Sequence, residues 1–257
     1  MKSNLPVKVQ TNDENGSFAV KAVILAGGNG TRMKTDIPKI LIPVHGMPMI
    51  QRLIELLEEI SVIQEKIVVC QAQTLELLQT LLPSTTLVIQ PKPLGTGHAL
   101  YCSMQQLTDE DIILVLPADL PCMDKSTIQT ILNHYQTVAC DILIVGMKVS
   151  EPNGYGRIVM KDQQVIKIVE EKEATTAEKD IDIINTSIYV MKVAKIRKIL
   201  NQLRPNNQAM EYYLTDVVEQ YHTKVATSDI QTIIFEEIST LHGANDLETL
   251  QHLLHRK

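Results

Sequence analysis

The sequence contains no tryptophan and two phenylalanines; with seven tyrosines, aromatics make up 4% of its 257 residues. Its core must be built mostly from Ile, Leu, Val and Met, and single-stranded nucleic-acid binding through stacked aromatic platforms is disfavoured. Positive charge is also in short supply. Lys plus Arg number 24 against 30 Asp plus Glu, a formal net charge of −6, which disfavours a broad phosphate-backbone footprint and hence a nucleic-acid partner. A small anionic ligand is still admissible, because a few local cations or a helix N-terminus suffice. No run reaches the ~18 apolar residues of a membrane span, and the first twenty residues lack the apolar centre of a secretory signal. The four cysteines, Cys70, Cys102, Cys122 and Cys140, include no Cys-x-x-Cys pair, so a zinc ribbon or thioredoxin-like motif is disfavoured. Four reduced, mostly buried thiols in the cytoplasm are expected instead. There is no internal repeat, which disfavours solenoids.

What is present is alternation. With 44% hydrophobic and 21% charged residues, the chain has an ordinary globular composition and a length that suits one large α/β domain or two small ones. Val20 to Ala26 is an apolar run closed by Gly27-Gly28, a buried strand entering a tight turn. A helical stripe over 48–60 follows, with Pro near its start. Strands are expected at 66–70, 86–90 and 111–116, and helices at 74–82, 97–107 and 124–134, the last with Asp124 as cap. Alternating strands and helices with short links imply right-handed crossovers and a Rossmann-like, mostly parallel sheet with helices on both faces. After residue 140 the pattern changes. Strands at 141–147, 156–160, 165–169 and 183–191 carry no helices between them, and helices return at 193–203, 211–221 and 246–255. A smaller mixed-strand lobe is therefore expected to complete the sheet. Ligands of open α/β sheets bind at the carboxyl ends of strands, which puts the Gly27 turn and Asp119 on one edge.

The densest chemical signal is Leu25-Ala26-Gly27-Gly28-Asn29-Gly30-Thr31-Arg32-Met33, followed by Pro38-Lys39. Glycines at 27, 28 and 30 let backbone N–H groups approach an anion. Arg32 offers a bidentate phosphate donor and Lys39 a compact charge. The loop is not a Walker A motif, having no Gly-Lys-Ser/Thr, nor a dinucleotide fingerprint, since Met33 stands at the third glycine. These residues resemble the signature of sugar-1-phosphate nucleotidyltransferases. Gln90-Pro-Lys-Pro-Leu-Gly95-Thr96-Gly97-His98-Ala99, Pro152-Asn-Gly-Tyr155-Gly156-Arg157-Ile158, Ile168-Val169-Glu170, Ile184-Asn185-Thr186, Glu211-Tyr212-Tyr213-Leu-Thr-Asp216 and Gly243-Ala-Asn245 extend the likeness. Taken in order, they resemble the N-terminal uridyltransferase domain of the bacterial bifunctional N-acetylglucosamine-1-phosphate uridyltransferases/glucosamine-1-phosphate acetyltransferases. The likeness covers residues 21 to about 250.

The resemblance implies a nucleotide-diphospho-sugar transferase fold, with 20–257 one nucleotidyltransferase domain; residues 1–19 read as a polar extension before the first strand. Residues 20–140 would form its nucleotide-binding half and 141–257 its sugar-binding half. Leu25, Ala26, Gly27 and Gly28 would hold the nucleotide. Gln90 would read the base, since an amide offers both a donor and an acceptor, and Gly95 and Thr96 would present a helix N-terminus to polar ligand atoms. His98 is read as a structural histidine. Asp119 and Asn245 would ligate Mg²⁺, which takes few protein oxygens beside phosphate and water; the plain alternatives are a turn aspartate and a helix-capping asparagine. Gly156, Glu170 and Asn185 would read the sugar, with Glu211 and Tyr213 closing its pocket; the plain alternative for Glu170, which lies in a Glu-Glu-Lys-Glu run, is a solvated face.

The implied reaction joins UTP to N-acetylglucosamine 1-phosphate and releases pyrophosphate, with Arg32, Lys39 and Asp119 as the catalytic set. Rivals are transfer of a uridylyl, thymidylyl or cytidylyl group to another sugar 1-phosphate, or a catalytically silent, nucleotide-sugar-binding regulatory subunit. Three departures from the family stand out, one of them the polar extension at residues 1–19. Ala118 replaces the usual glycine before Asp119, harmless if φ there is negative. The hexapeptide-repeat acetyltransferase region is missing from the sequence, so no acetyl-CoA site and no trimer through it are expected.

Overall fold

The computed structural model describes residues 18–28, 33, 35, 37–225 and 229–255. In chain order the strands are β1 (Val20–Leu25), β2 (Pro43–Val44), β3 (Met47–Pro48), β4 (Ile63–Cys70), β5 (Thr86–Ile89), β6 (Ile112–Pro117), β7 (Ile142–Lys148), β8 (Arg157–Lys161), β9 (Gln164–Val169), β10 (Ile183–Lys192) and β11 (Ile230–Glu236). The helices are α1 (Met49–Glu58), α2 (Leu75–Leu81), α3 (Thr96–Ser103), α4 (Lys125–Val138), α5 (Thr176–Lys179), α6 (Val193–Leu200), α7 (Asp216–Lys224) and α8 (Leu247–His255).

Among the described residues the main sheet has the order β11-β7-β10-β6-β1-β4-β5, with β8 and β9 branching from β10. β1 lies parallel to both β4 and β6, and β4 to β5. β10 runs antiparallel to β6 and β7, and β11 returns parallel to β7. The fold is mixed α/β around a mostly parallel sheet. Alternation along each central strand sends side chains to two cores. Ala22 and Ile24 of β1 join Val68, Leu114 and Leu116 under α1 and α4, which contribute Leu53, Leu57, Ile128 and Ile131. Val23, Ile67, Ile113 and Val115 meet the opposite layer, where α3, α6 and α7 bring Leu100, Ile196, Val218 and Tyr221. Covered on both faces, these strands are continuous apolar runs such as Ile-Ile-Leu-Val-Leu. A third, smaller core joins the β2–β3 hairpin to α8 through Val44, Met49, Leu250 and Leu253.

The elements differ from the sequence expectation in four places. One turn of helix, α5, stands between β9 and β10, started by a Thr175–Glu178 capping box. The helix expected from 211 begins only at Asp216. The edge strand β11 and the β2–β3 hairpin were not foreseen. Both hairpins close on two residues with positive φ, His45-Gly46 and Asp162-Gln163, the mirror-image turn that matches strand twist. Of the four thiols, all free, Cys70 and Cys140 are buried and the other two only partly. No described helix is long and apolar enough to cross a membrane.

Candidate active site

One edge of the sheet collects the candidate residues. The parallel strands deliver them at their carboxyl ends: Ala26 to Gly28 after β1, Gln90 after β5, and Ala118-Asp119 after β6. The antiparallel strands reach the same edge differently. Asn185 lies near the start of β10, Gly156 just before β8, and Glu170 just after β9. Between them is a cleft of about 610 Å³. Leu25, Ala26, Gly27, Gly28, Lys39, Gln90, Gly95, Thr96, Asp119, Gly156, Glu170, Asn185, Glu211, Tyr213 and Asn245 all line it. Arg32 and Gly30 lie outside the described residues.

Within the cleft Lys39 joins two distant segments. Its ammonium is ion-paired with Asp119 Oδ2 and donates to Asn245 Oδ1 at 3.3 Å. Asn245 is free for this because its neighbour takes the helix cap: Asp246 Oδ1 accepts from Thr249 N at 2.7 Å. The 242–245 segment is itself docked on Asp119, whose carbonyl accepts from Ala244 N at 2.9 Å. A Cβ on Gly243 would lie 3.5 Å from Asp119 Oδ1. Two hard oxygen donors thus converge on a position already held by positive charge. That donor set fits a Mg²⁺ ion completed by phosphate and water. Ala118 has a negative φ and so carries no backbone strain.

At one end of the cleft Gln90 is buried and its amide is directed. Nε2 donates to Gly95 O at 3.1 Å and lies 3.0 Å from His98 Nδ1. Oε1 faces Gly27, where any Cβ would collide with it; this is what the glycine is for. In this orientation Oε1 is the amide atom that has no hydrogen-bond partner among the described residues. His98, read from sequence as structural, is a partner of Nε2. Gln71 adds a hold on the same turn, donating from Nε2 to Gly27 O at 2.7 Å. Gly95 has φ +109, and a Cβ there would sit 2.6 Å from Tyr212 O. The N-terminus of α3 is less open than its sequence suggests. Gly97 N donates to Tyr212 O and Thr96 Oγ1 accepts from Leu214 N at 3.0 Å, so these groups hold the 211–215 loop, and the Thr96 hydroxyl keeps its proton for a ligand.

At the other end the Glu-Glu-Lys-Glu run divides. Glu170 turns inward and accepts from Thr215 Oγ1 at 2.9 Å. Burial pushes its carboxyl up from the ordinary range, a shift that the Thr215 bond opposes and nearby Glu211 reinforces. Glu171 turns instead to the fully buried Arg157, 2.7 Å away, and also accepts from Gly154 N at 3.2 Å. That pair pins the 154–156 loop beside Glu170; a Cβ on Gly156 would lie 3.4 Å from Glu170 Oε2. Asn185 sits at a bulge in β10. Its Nδ2 donates to Tyr189 Oη at 2.7 Å and its Oδ1 accepts from Ser187 N at 3.2 Å. Burial, and then the surrounding Glu170, Glu211, Glu173 and Asp216, push the Tyr213 phenol up to about 12. Asp216 is raised to about 6 by burial and by Glu219, Glu170 and Glu173. Sequence reasoning assigned no part to Tyr155 or His242. Tyr155 Oη and His242 Nδ1 are 2.9 Å apart, tying the 154–156 loop to the segment that carries Asn245. Their signal was adjacency: Tyr155 precedes Gly156, and His242 precedes Gly243-Ala-Asn245.

Residues 22–181 match the model of the MobA-like NTP transferase domain. The chain belongs to that family. Membership makes it a nucleotidyltransferase and bears out the resemblance read from the motifs. It is 35% identical over 236 residues to the bifunctional protein GlmU of Thermoanaerobacter pseudethanolicus, matching 91% of this chain and 51% of that protein. The GlmU of Carboxydothermus hydrogenoformans is likewise 35% identical over 91% of this chain and 52% of its own length. The chain spans about half the length of these curated relatives. Among solved structures, a UDP-glucose pyrophosphorylase complexed with UDP-glucose superposes with a TM-score of 0.73 at 19% identity, covering 92% of this chain and 97% of the other. A Bacillus anthracis protein provisionally assigned as a glucose-1-phosphate thymidylyltransferase, in complex with sucrose, superposes at 0.74 and 21% identity, covering 92% and 94%. These likenesses establish the nucleotide-diphospho-sugar transferase fold.

Proposed function

We propose that the protein transfers the uridylyl group of UTP to a sugar 1-phosphate, N-acetylglucosamine 1-phosphate, giving UDP-N-acetylglucosamine and pyrophosphate. The observation that carries the reading is the Lys39–Asp119–Asn245 cluster. It lines one cleft together with a turn suited to a nucleotide, Gly27-Gly28 with Gln90, and polar groups suited to a sugar, Glu170 with Asn185. The ordered segments that resemble N-acetylglucosamine-1-phosphate uridyltransferases select the sugar. Residues 20–140 serve as the nucleotide-binding half and 141–257 as the sugar-binding half. The free thiols fit a reducing compartment such as the cytoplasm.

In this reading an oxygen of the sugar phosphate forms a bond to the α-phosphorus of UTP. The bond from that phosphorus to the bridging oxygen breaks, and pyrophosphate leaves with the electron pair. The nucleophile is already ionised at neutral pH, so the site needs no general base. Its work is to bring two anions together and to stabilise charge on the leaving group. Lys39 supplies a fixed positive charge where the phosphates meet, and Arg32 in the glycine loop is assigned the same task. Asp119 and Asn245 would hold Mg²⁺, which when bound neutralises phosphate charge as a Lewis acid. Glu170 accepts from sugar hydroxyl or amide groups, and Gly156 leaves room for the ring. The test is pyrophosphate release with Mg²⁺, four nucleoside triphosphates and several sugar 1-phosphates. UTP with N-acetylglucosamine 1-phosphate is expected to be the best pair. A better thymidylyl or cytidylyl donor, or another sugar, would reassign the substrates, and tight UTP binding with no pyrophosphate from any pair would make the chain a silent binding subunit.

A further inference from the structure

The amide of Gln90 has two N–H groups, and both have acceptors within the protein. Gly95 O, 3.1 Å from Nε2, can only accept. His98 Nδ1, 3.0 Å from the same nitrogen, can accept only when the ring is neutral and its proton sits on Nε2. That tautomer places the N–H 3.9 Å from Cys102 Sγ, a weak acceptor one helical turn along α3. Burial disfavours the imidazolium, with the Lys92 backbone opposing, and the net effect holds the pKa below the ordinary histidine value. The Tyr212 ring, with its centroid 6.1 Å away, packs against the imidazole. With both N–H groups of the amide turned inward, Oε1 is left facing Gly27 and the cleft, and it accepts no hydrogen bond among the described residues.

An amide held by one bond can rotate by half a turn and exchange a donor for an acceptor; an amide held by two is fixed. We infer that His98 is a positioning residue for base selection: its neutral Nδ1, acting with Gly95 O, holds Gln90 with its oxygen toward the base. The cleft then favours a base with an N–H at that edge, as uracil and thymine have at N3. Cytosine presents a bare N3 there, and its lone pair would face the lone pairs of Oε1. The inference rests on the reading that Gln90 meets the base.

The test compares His98→Leu, His98→Asn and Gln90→Ala with the wild-type protein, measuring KM and kcat for UTP and the inhibition constant of CTP against it. The Asn side chain can place a carbonyl oxygen near the position of imidazole Nδ1, so it is the rescuing variant. His98→Leu is expected to raise the UTP KM about tenfold with little change in kcat, and to narrow the preference for UTP over CTP by about tenfold or more. His98→Asn should restore most of both. An unchanged UTP/CTP preference in His98→Leu, or an equal loss in His98→Asn, overturns the role of His98. A Gln90→Ala protein with wild-type UTP KM overturns the base-reading itself, which separates the two failures. A second measurement needs no variant. The imidazole ¹⁵N shifts of His98 in the intact protein at pH 7 should report the Nε2–H tautomer, and an Nδ1–H tautomer or a charged ring contradicts the inference.

Discussion

At the Gly27–Gln90 end of the cleft the glycine turn and Gln90 leave the carboxyl ends of parallel strands. At the Glu170–Asn185 end the residues hang on antiparallel hairpins, a bulge and a loop from far along the chain. At the first end β1, β4, β5 and β6 stop at the same edge, and side chains close in sequence to those strand ends, Gln71 and His98, hold Gly27 and Gln90. The second end is held by long-range pairs: Thr215 with Glu170, Arg157 with Glu171, and Gln208 with the carbonyl of Lys172. The charge differs too. Lys39 brings positive charge to the cleft, whereas around the second end Glu170, Glu211 and Asp216 gather carboxylates whose burial and mutual repulsion raise the Glu170 and Asp216 pKa values. A regular scaffold places turns at one sheet edge through its strands, whereas the irregular end takes many separate contacts.

Removing the junction should have the largest effect, because both ends act through it. Asp119→Ala is expected to lower turnover by at least about 10³-fold, measured as pyrophosphate release, with an unchanged circular dichroism spectrum. Near-normal turnover would detach Asp119 from the chemistry. Lys39→Met should cost about 10²-fold in kcat/KM for both substrates, since one fixed charge among several is lost. A loss confined to one substrate would move Lys39 from the junction to that end. Gly95→Ala probes the seam where the 94–97 turn meets the 212–214 loop. A strained φ of +109 and a Cβ 2.6 Å from Tyr212 O predict a loss of about 2 kcal/mol in urea unfolding. Equal stability would mean the seam yields easily.

The smallest effect belongs to the acidic end. Asp216 has a folded pKa near 6 against 3.8 for the free side chain. The folded state therefore binds the proton more tightly, and stability is lost as pH rises from about 4 through 6. Asp216→Asn should leave stability at pH 4 unchanged and raise it at pH 8 by about 1 kcal/mol, after allowance for solvent screening. A destabilised variant at pH 8 would show that the carboxylate is held by a favourable partner, and the contrast in charge between the two ends would weaken.

The same contrast explains what could be read in advance. The parallel strands, the helices between them and their edge were legible because apolar runs and glycine turns are local signals. Gly27, Gln90 and Asp119 follow from strand ends, and Asp124 from its cap, whose Oδ1 accepts from Thr127 N at 2.8 Å. At the other end Glu170 could not be told from Glu171 by composition, since only the fold sends one to the cleft and the other to Arg157. The 211–215 stretch reads as helical, but Tyr212 gives its N–H to Leu94 O and its carbonyl to Gly97 N, and the helix waits until Asp216. β11 was missed because its Ile-Gln-Thr-Ile-Ile-Phe pattern is half exposed at a sheet edge. Asn245 and Asp246 compete for one cap, and only the structure shows that Asp246 takes it. His98 reads as structural because a histidine at the third position of a helix gives no hint that an amide eight residues earlier turns back to meet it.

The division of the cleft is tested most directly by steady-state kinetics on two variants, Gln90→Ala and Glu170→Gln, with KM measured for the nucleoside triphosphate and for the sugar 1-phosphate in each. The expected result is a crossed pattern: about tenfold in the nucleotide KM alone for Gln90→Ala, and about tenfold in the sugar-phosphate KM alone for Glu170→Gln, each near the 1.4 kcal/mol of one lost hydrogen bond. Both variants raising the same KM, or each raising both equally, would contradict the account of one cleft with two separate ends.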